Sequence, residues 1–190
     1  MKRLLWALLG GAAASGQAAP APTQDVWVLD QNANQLRVHR ADLDATPVAT
    51  HALAGTGQAR GFGFDADGKA FVCRGDEVRT YDGAGVATAL FAGAAQGLAQ
   101  TQDVAVRPGT NDVYVSAGAT ALASKIVRFD VNGAVVATLT HALLHHPRRL
   151  SWSADGTKLY VACNGNKSIL SYDPVANTFT QVIDLTANNV

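Results

Sequence analysis

Glutamate is almost absent from this chain: Glu77 is the single Glu among 15 acidic residues. Asp favours turns and caps where Glu favours helix interiors. With 18 Gly besides, the sequence reads as turn-dense and poor in helix. An excess of charge is also lacking. Lys and Arg total 15 against 15 Asp and Glu, so no global field draws the chain to nucleic acid or to an anionic membrane surface. No nucleic-acid partner is expected. Only 16% of the residues are charged and 7% aromatic, against 48% hydrophobic. A chain of 190 residues with that balance buries a sizeable core, which excludes disorder. No apolar run reaches the roughly 20 residues that span a bilayer as a helix. The short run Leu4 to Leu9 follows Lys2 and Arg3 and leads through small residues to Gly16, Gln17 and Ala18, an A-x-A-like site ahead of Ala19. That is the pattern of a secretory signal peptide, residues 1–18. Residues 19–24, with Pro20 and Pro22, read as an extended leader. No Cys follows to carry a lipid, so the expectation is export to the periplasm, the cell surface or the medium, with no membrane anchor after cleavage. Loss of Lys2 and Arg3 leaves the mature chain slightly acidic.

A repeat organises residues 25–190. The segments Val26-Trp27-Val28, Ala70-Phe71-Val72, Val113-Tyr114-Val115 and Leu159-Tyr160-Val161 each set an aromatic residue between apolar neighbours. Val28, Val72, Val115 and Val161 are spaced by 44, 43 and 46 residues. A second series follows: Leu36 to His39, Val78 to Tyr81, Ile126 to Phe129 and Ile169 to Tyr172. The last three run into turns opened by Asp82, Asp130 and Asp173. Upstream, Gly61 to Phe64, Asp103 to Val106 and Arg149 to Trp152 lead into turns built on Asp65-Ala66-Asp67-Gly68, Pro108-Gly109 and Ala154-Asp155-Gly156. Short β-prone runs bounded by such turns are antiparallel strands joined by hairpins. Each unit has four strands, A to D, the last being Ala87 to Phe91, Val135 to Leu139 and Phe179 to Ile183. Four-stranded sheets at this period are blades of an all-β propeller. The units are about 25–53, 57–91, 102–139 and 148–185, and the first supplies strands B, C and D but no innermost strand A. The expected architecture is three complete blades plus one lacking that strand.

The fourth unit, Arg149-Leu150-Ser151-Trp152-Ser153-Ala154-Asp155-Gly156-Thr157-Lys158-Leu159-Tyr160-Val161-Ala162-Cys163-Asn164 and then Ser168 to Asp173, resembles the YVTN group of propeller repeats. The likeness is weaker in the second and third units and partial in the first. The resemblance implies a secreted or surface protein, and its relatives include lactonase-type enzymes and quinoprotein-like propellers. Such relatives usually have about six to eight blades. The resemblance therefore implies an incomplete propeller, whose open edge strands expose it to self-association. Lactonase-like relatives that use calcium carry an Asn-Gly pair after a Pro beside strand A. Here Arg148 and Arg149 follow Pro147, which argues against that site.

Candidate chemistry lies on the face shared by the B-to-C and D-to-A connections, the variable loops of the scaffold. Aligning strand A on Phe64, Val106 and Trp152 makes Arg60, Gln102 and Arg148 equivalent, three polar side chains around the channel mouth. Guanidinium groups bind carboxylate or phosphate through paired N–H donors. The partner expected is thus an anionic small molecule or a protein partner, held by Arg60, Gln102 and Arg148 with His145, His146 and Arg149 around them. His141 and His145 are spaced i, i+4, so a helical turn would place them on one side as Zn²⁺ ligands. No Asp, Glu or Cys lies nearby in sequence, and cationic neighbours disfavour a metal. Asp65-Ala66-Asp67-Gly68 looks like a calcium loop for four residues but reads as a hairpin turn. No Ser, His and Asp set, phosphate loop or nucleotide fingerprint stands out, and no cofactor is implied. The leading expectation is a non-catalytic, exported propeller that binds through its loop face; the alternative is a lactonase-like hydrolase or quinoprotein-like redox enzyme with its site at the channel mouth. Cys73 and Cys163 fall in second strands separated by a whole blade, too far for the Cα separation of under about 7 Å that a disulfide needs. Two buried thiols are expected.

Overall fold

The computed structural model describes residues 25–39, 46–118, 120 and 123–186; the signal peptide and leader expected at residues 1–24 lie outside them. Four antiparallel sheets follow one another along the described chain. Blade 1 has three strands, β1 (Val26–Asp30), β2 (Gln35–His39) and β3 (Ala49–Ala52). Blade 2 runs β4 (Ala59–Phe64), β5 (Ala70–Arg74), β6 (Glu77–Tyr81) and β7 (Ala87–Ala92), and one turn of 3-10 helix, Ala94–Gln96, follows it. Blade 3 is β8 (Thr101–Val106), β9 (Val113–Ala117), β10 (Lys125–Phe129) and β11 (Val135–Leu139). Blade 4 is β12 (Pro147–Trp152), β13 (Leu159–Cys163), β14 (Ser168–Asp173) and β15 (Thr178–Asp184). Each sheet is a plain up-and-down meander in sequence order, the arrangement of propeller blades with the first strand at the hub. Among the described residues blade 1 has no hub strand, as its sequence implies.

The abundant Asp residues close the outer hairpins. Asp130 Oδ1 accepts the backbone N–H groups of Asn132 and Ala134, both at 2.9 Å, and Gly133 takes φ +85° at the position where the chain must turn left-handed. Asp82 does the same with Ala84 and Val86. Asp65 Oδ1 likewise accepts from Asp67 and Lys69, with the Lys69 ammonium 3.4 Å from its other oxygen. That segment is therefore a hairpin.

Alternation along the strands sends every second side chain to the next blade and the others to the previous one. In β5, Ala70 and Val72 pack toward blade 1 while Phe71 and Cys73 pack toward blade 3. Three apolar interfaces result. Trp27 meets Phe64 edge-on between blades 1 and 2, centroids 5.1 Å apart. Phe71, Phe91 and Phe129 interlock between blades 2 and 3. Tyr114 meets Trp152 at 4.9 Å between blades 3 and 4. Phe71, Tyr114 and Tyr160 each stand second in the second strand of their blade, and Trp27 stands second in β1, the corresponding strand of blade 1. Cys73 and Cys163 are free, buried, and in separate interfaces.

Candidate functional site at the hub

The loops that share one face are tied to each other through the backbone. Gly75, between β5 and β6, donates its N–H to the Gln58 carbonyl ahead of β4. Gly118 after β9 donates to Ala99, and Asn164 and Gly165 after β13 donate to His146 and His145. In blades 2, 3 and 4 the B-to-C connection thus holds the D-to-A connection that leads into the same blade. Strand A enters the hub beneath these clamps.

At that entry each hub strand carries a bulge. The pairing of β4 with β5 shifts between Ala59 and Gly61, that of β8 with β9 between Thr101 and Asp103, and that of β12 with β13 between Pro147 and Arg149. The residues skipped are Arg60, Gln102 and Arg148. A bulged residue leaves the ladder and has its side chain re-aimed, so three side chains that regular pleating would send between blades are turned toward one another. Gln102 Oε1 accepts from Arg60 Nη1 at 3.3 Å and from Arg148 Nη1 at 3.0 Å. Its amide Nε2 donates to the Gln100 carbonyl at 3.0 Å, which fixes the oxygen outward to the two cations. Gln102 is buried, 2% exposed. It serves as the joint on which two guanidinium groups from blades 2 and 4 rest.

The remaining residues expected at the mouth fall around this joint. Arg149 Nη1 donates to the carbonyls of Arg60 and Arg148 at 3.2 and 3.1 Å, spanning the hub from blade 4 to blade 2. His146, at φ +55°, donates its N–H to Ser124 Oγ at 2.7 Å. Its Nε2 is buried without a hydrogen-bond partner. Burial first, then the charges of Arg148 and Arg60 and neighbouring His145, lower its pKa and favour the neutral imidazole. His145 Nδ1 is buried and unpartnered too, lying against Gly165, where a Cβ would come within 2.1 Å of it. The helical turn that would pair His141 with His145 does not form: residues 140–146 are a turn and bend. His141 Nδ1 accepts from Leu143 N–H, and its ring packs on Phe179 of β15 at 5.3 Å. The Leu144 amide closes on the His141 carbonyl, so His141 is directed to the outer strand while His145 turns to the hub. Among the described residues no three of His, Cys, Asp and Glu come together.

Sequence reasoning missed Asp103. It follows Gln102 in β8, is 6% exposed, and accepts the Leu150 N–H at Oδ2, 2.9 Å away on β12. Its own N–H donates to Ser116 Oγ at 3.1 Å. Burial pushes its carboxyl up to about 7, against the pull of the Leu150 N–H and the Arg149 charge. The available signal was chemical: a carboxylate inside the apolar run Asp103-Val104-Ala105-Val106, at a position where the other hub strands carry Gly61 and Arg149. Chemically, the hub presents guanidinium donors over a neutral amide, with a buried carboxyl below.

These blades, with their bulged hub strands, define a β-propeller, described here as three complete blades and one of three strands. The fold is shared with Kuenenia stuttgartiensis hydrazine synthase, at a TM-score of 0.68 and 15% identity over 90% of this chain. It is shared as well with a protein of unknown function from Bacteroides caccae, at a TM-score of 0.58 and 13% identity over 82%. The chain covers 53% and 56% of those two proteins, about half the length of each. No protein-family model and no curated protein matches the sequence.

Proposed function

We propose that the chain is an exported, non-catalytic propeller-repeat protein of the YVTN type that binds small anions at the hub of its loop face. One observation carries this reading: guanidinium groups from two blades share a single buried amide oxygen. That geometry holds the two donor nitrogens about 6 Å apart at most, where like charges repel by roughly 3 kcal/mol at an effective dielectric of 20, less where water reaches them. An anion removes that repulsion and gains charge-assisted hydrogen bonds. The signal-peptide pattern of residues 1–18 supports export, and the fourth repeat supports the YVTN assignment.

The test uses sulfate and oxalate, both fully ionised near neutral pH, titrated calorimetrically at low and at physiological ionic strength. Binding is expected to weaken with salt, since exposed charges are screened beyond about 8 Å at physiological ionic strength. Replacing Arg60 and Arg148 together by Ala is expected to weaken it at least about tenfold, with an unchanged circular dichroism spectrum. Equal affinity in the parent and the double variant would remove the site.

A further inference from the structure

Asp103 joins blade 3 to blade 4 beside Gln102 of the proposed anion site, with blade 2 packed against it. Its Oδ2 takes the Leu150 N–H of β12. Ser116 of β9 accepts from its N–H and donates to its carbonyl at 3.4 Å. On the β4 side Gly61 makes room, for a Cβ there would lie 2.1 Å from Oδ1. Among the described residues the ionisable groups facing it are Arg149 on β12 and the buried Cys73 thiol on β5. β9 offers the Ser116 hydroxyl, and β4 a glycine beside Arg60. The carboxyl thus sits beneath a cluster of three arginines with only one of them, Arg149, pulling on it appreciably.

A carboxylate in that place opposes an incoming anion in two ways. It repels the ligand from a buried position, where charges act more strongly than in water, and it offsets the positive potential that draws the ligand in. A neutral carboxyl does neither, and its carbonyl oxygen still accepts from Leu150. We infer that anion binding at this hub is coupled to uptake of one proton from solvent by Asp103, so that the ligand is held tightly when this carboxyl is neutral and released when it ionises. The inference rests on the anion site proposed above. Geometry places the carboxyl next to Gln102, and burial sets its titration near pH 7, at about 7, so the coupling acts in the physiological range. By linkage, whatever factor protonation adds to anion affinity, anion binding adds to proton affinity.

The experiment titrates sulfate, a dianion throughout, into the folded protein between about pH 6 and pH 8.5. The parent is expected to lose about tenfold in affinity across that range, within the usual span of coupling between two sites. Calorimetry in buffers of different ionisation enthalpy should show net proton uptake on binding. Asp103→Asn, which keeps an oxygen for Leu150 and cannot ionise, is expected to bind at pH 8.5 as the parent does at pH 6, with no slope between. His146→Gln is expected to keep the slope, because burial and the nearby arginines lower the His146 pKa from its ordinary value. As a measure that needs no variant, adding sulfate to the parent at pH 7.5 should raise the infrared carbonyl band of a protonated buried carboxyl. A flat profile in a parent whose binding disappears in the Arg60→Ala, Arg148→Ala protein overturns the proton link and leaves the anion site standing. A slope that survives in Asp103→Asn, or vanishes in His146→Gln, overturns it as well. Absence of sulfate binding at every pH removes both proposals.

Discussion

Tyr114 and Tyr160 hold the same place in successive repeats, second in the second strand of blades 3 and 4, yet their surroundings are opposite. Tyr114 is fully buried and Tyr160 is 41% exposed. Around Tyr114 stand Trp152 and Tyr172 of the next blade and the Arg128 guanidinium over the ring at 5.9 Å. Burial pushes the Tyr114 phenol up to about 12, against the Arg128 charge. Tyr160 pairs with Ser151 and Ser171 within its own sheet, and its ring lies on the face of blade 4 away from blade 3. A repeat therefore assigns a side chain to a face, and only the adjacent blade turns that face into an interior. Energy in this fold belongs to the boundaries between blades more than to the blades.

The comparison can be broken most sharply at the two tyrosines. Tyr114→Ala removes a ring packed on every side and is expected to destabilise the fold by about 3–5 kcal/mol, while Tyr160→Ala stays within about 0.5 kcal/mol. Urea unfolding of both variants measures the difference; equal losses would mean that the face of blade 4 is covered in solution.

A smaller effect is expected from charge in the same boundary. The folded value of Asp103, about 7, lies above the unfolded carboxyl's, about 3.9, so the folded chain holds the additional proton between them. Its contribution to stability is therefore greatest below about pH 4, declines as pH rises toward about 7, and is level above that. Asp103→Asn removes this decline and is expected to exceed the parent at pH 8 by roughly 2 kcal/mol, the scale of a buried polar group left uncompensated. Denaturation midpoints from pH 4 to pH 8 check the sign: a parent that gains stability over that range would contradict it.

Smaller still is the expected cost of filling the glycine that makes room for this carboxyl. A Cβ at Gly61 would also lie 2.8 Å from Asp103 Cα and from the Gln102 carbonyl, so Gly61→Ala forces blades 2 and 3 apart and should cost about 1–2 kcal/mol. Gly83, in an outer hairpin with nothing within 4 Å, is the control, where Ala is expected to be neutral within about 0.5 kcal/mol. Thermal unfolding of the pair sharpens the contrast between boundary and rim.

Much of this architecture was legible in the residues because the signals are local. Alternating apolar runs, the Asp-opened turns and the aromatic at a constant place in each unit are short-range patterns, and the strands follow them. The equivalence of Arg60, Gln102 and Arg148 was legible as well, since it needs only the repeat register. Their different roles were not. A bulge shows itself in the pairing of two strands, so nothing in β8 alone says that Gln102 leaves the ladder. Nor does the i, i+4 spacing of His141 and His145 reveal that one packs on Phe179 and the other against Gly165.

By itself, then, the sequence determines that this chain forms four-stranded blades, where they turn, and which residues stand in equivalent positions, because backbone geometry and hydrophobic alternation act over a few residues. Which of those equivalent residues is buried, which accepts and which donates is decided by the tertiary structure. Gln102 is a joint because Arg60 and Arg148 arrive from blades on either side of it. The Asp103 carboxyl is pushed up from the ordinary value because Leu150 and Gly61, each more than 40 residues away along the chain, close over it.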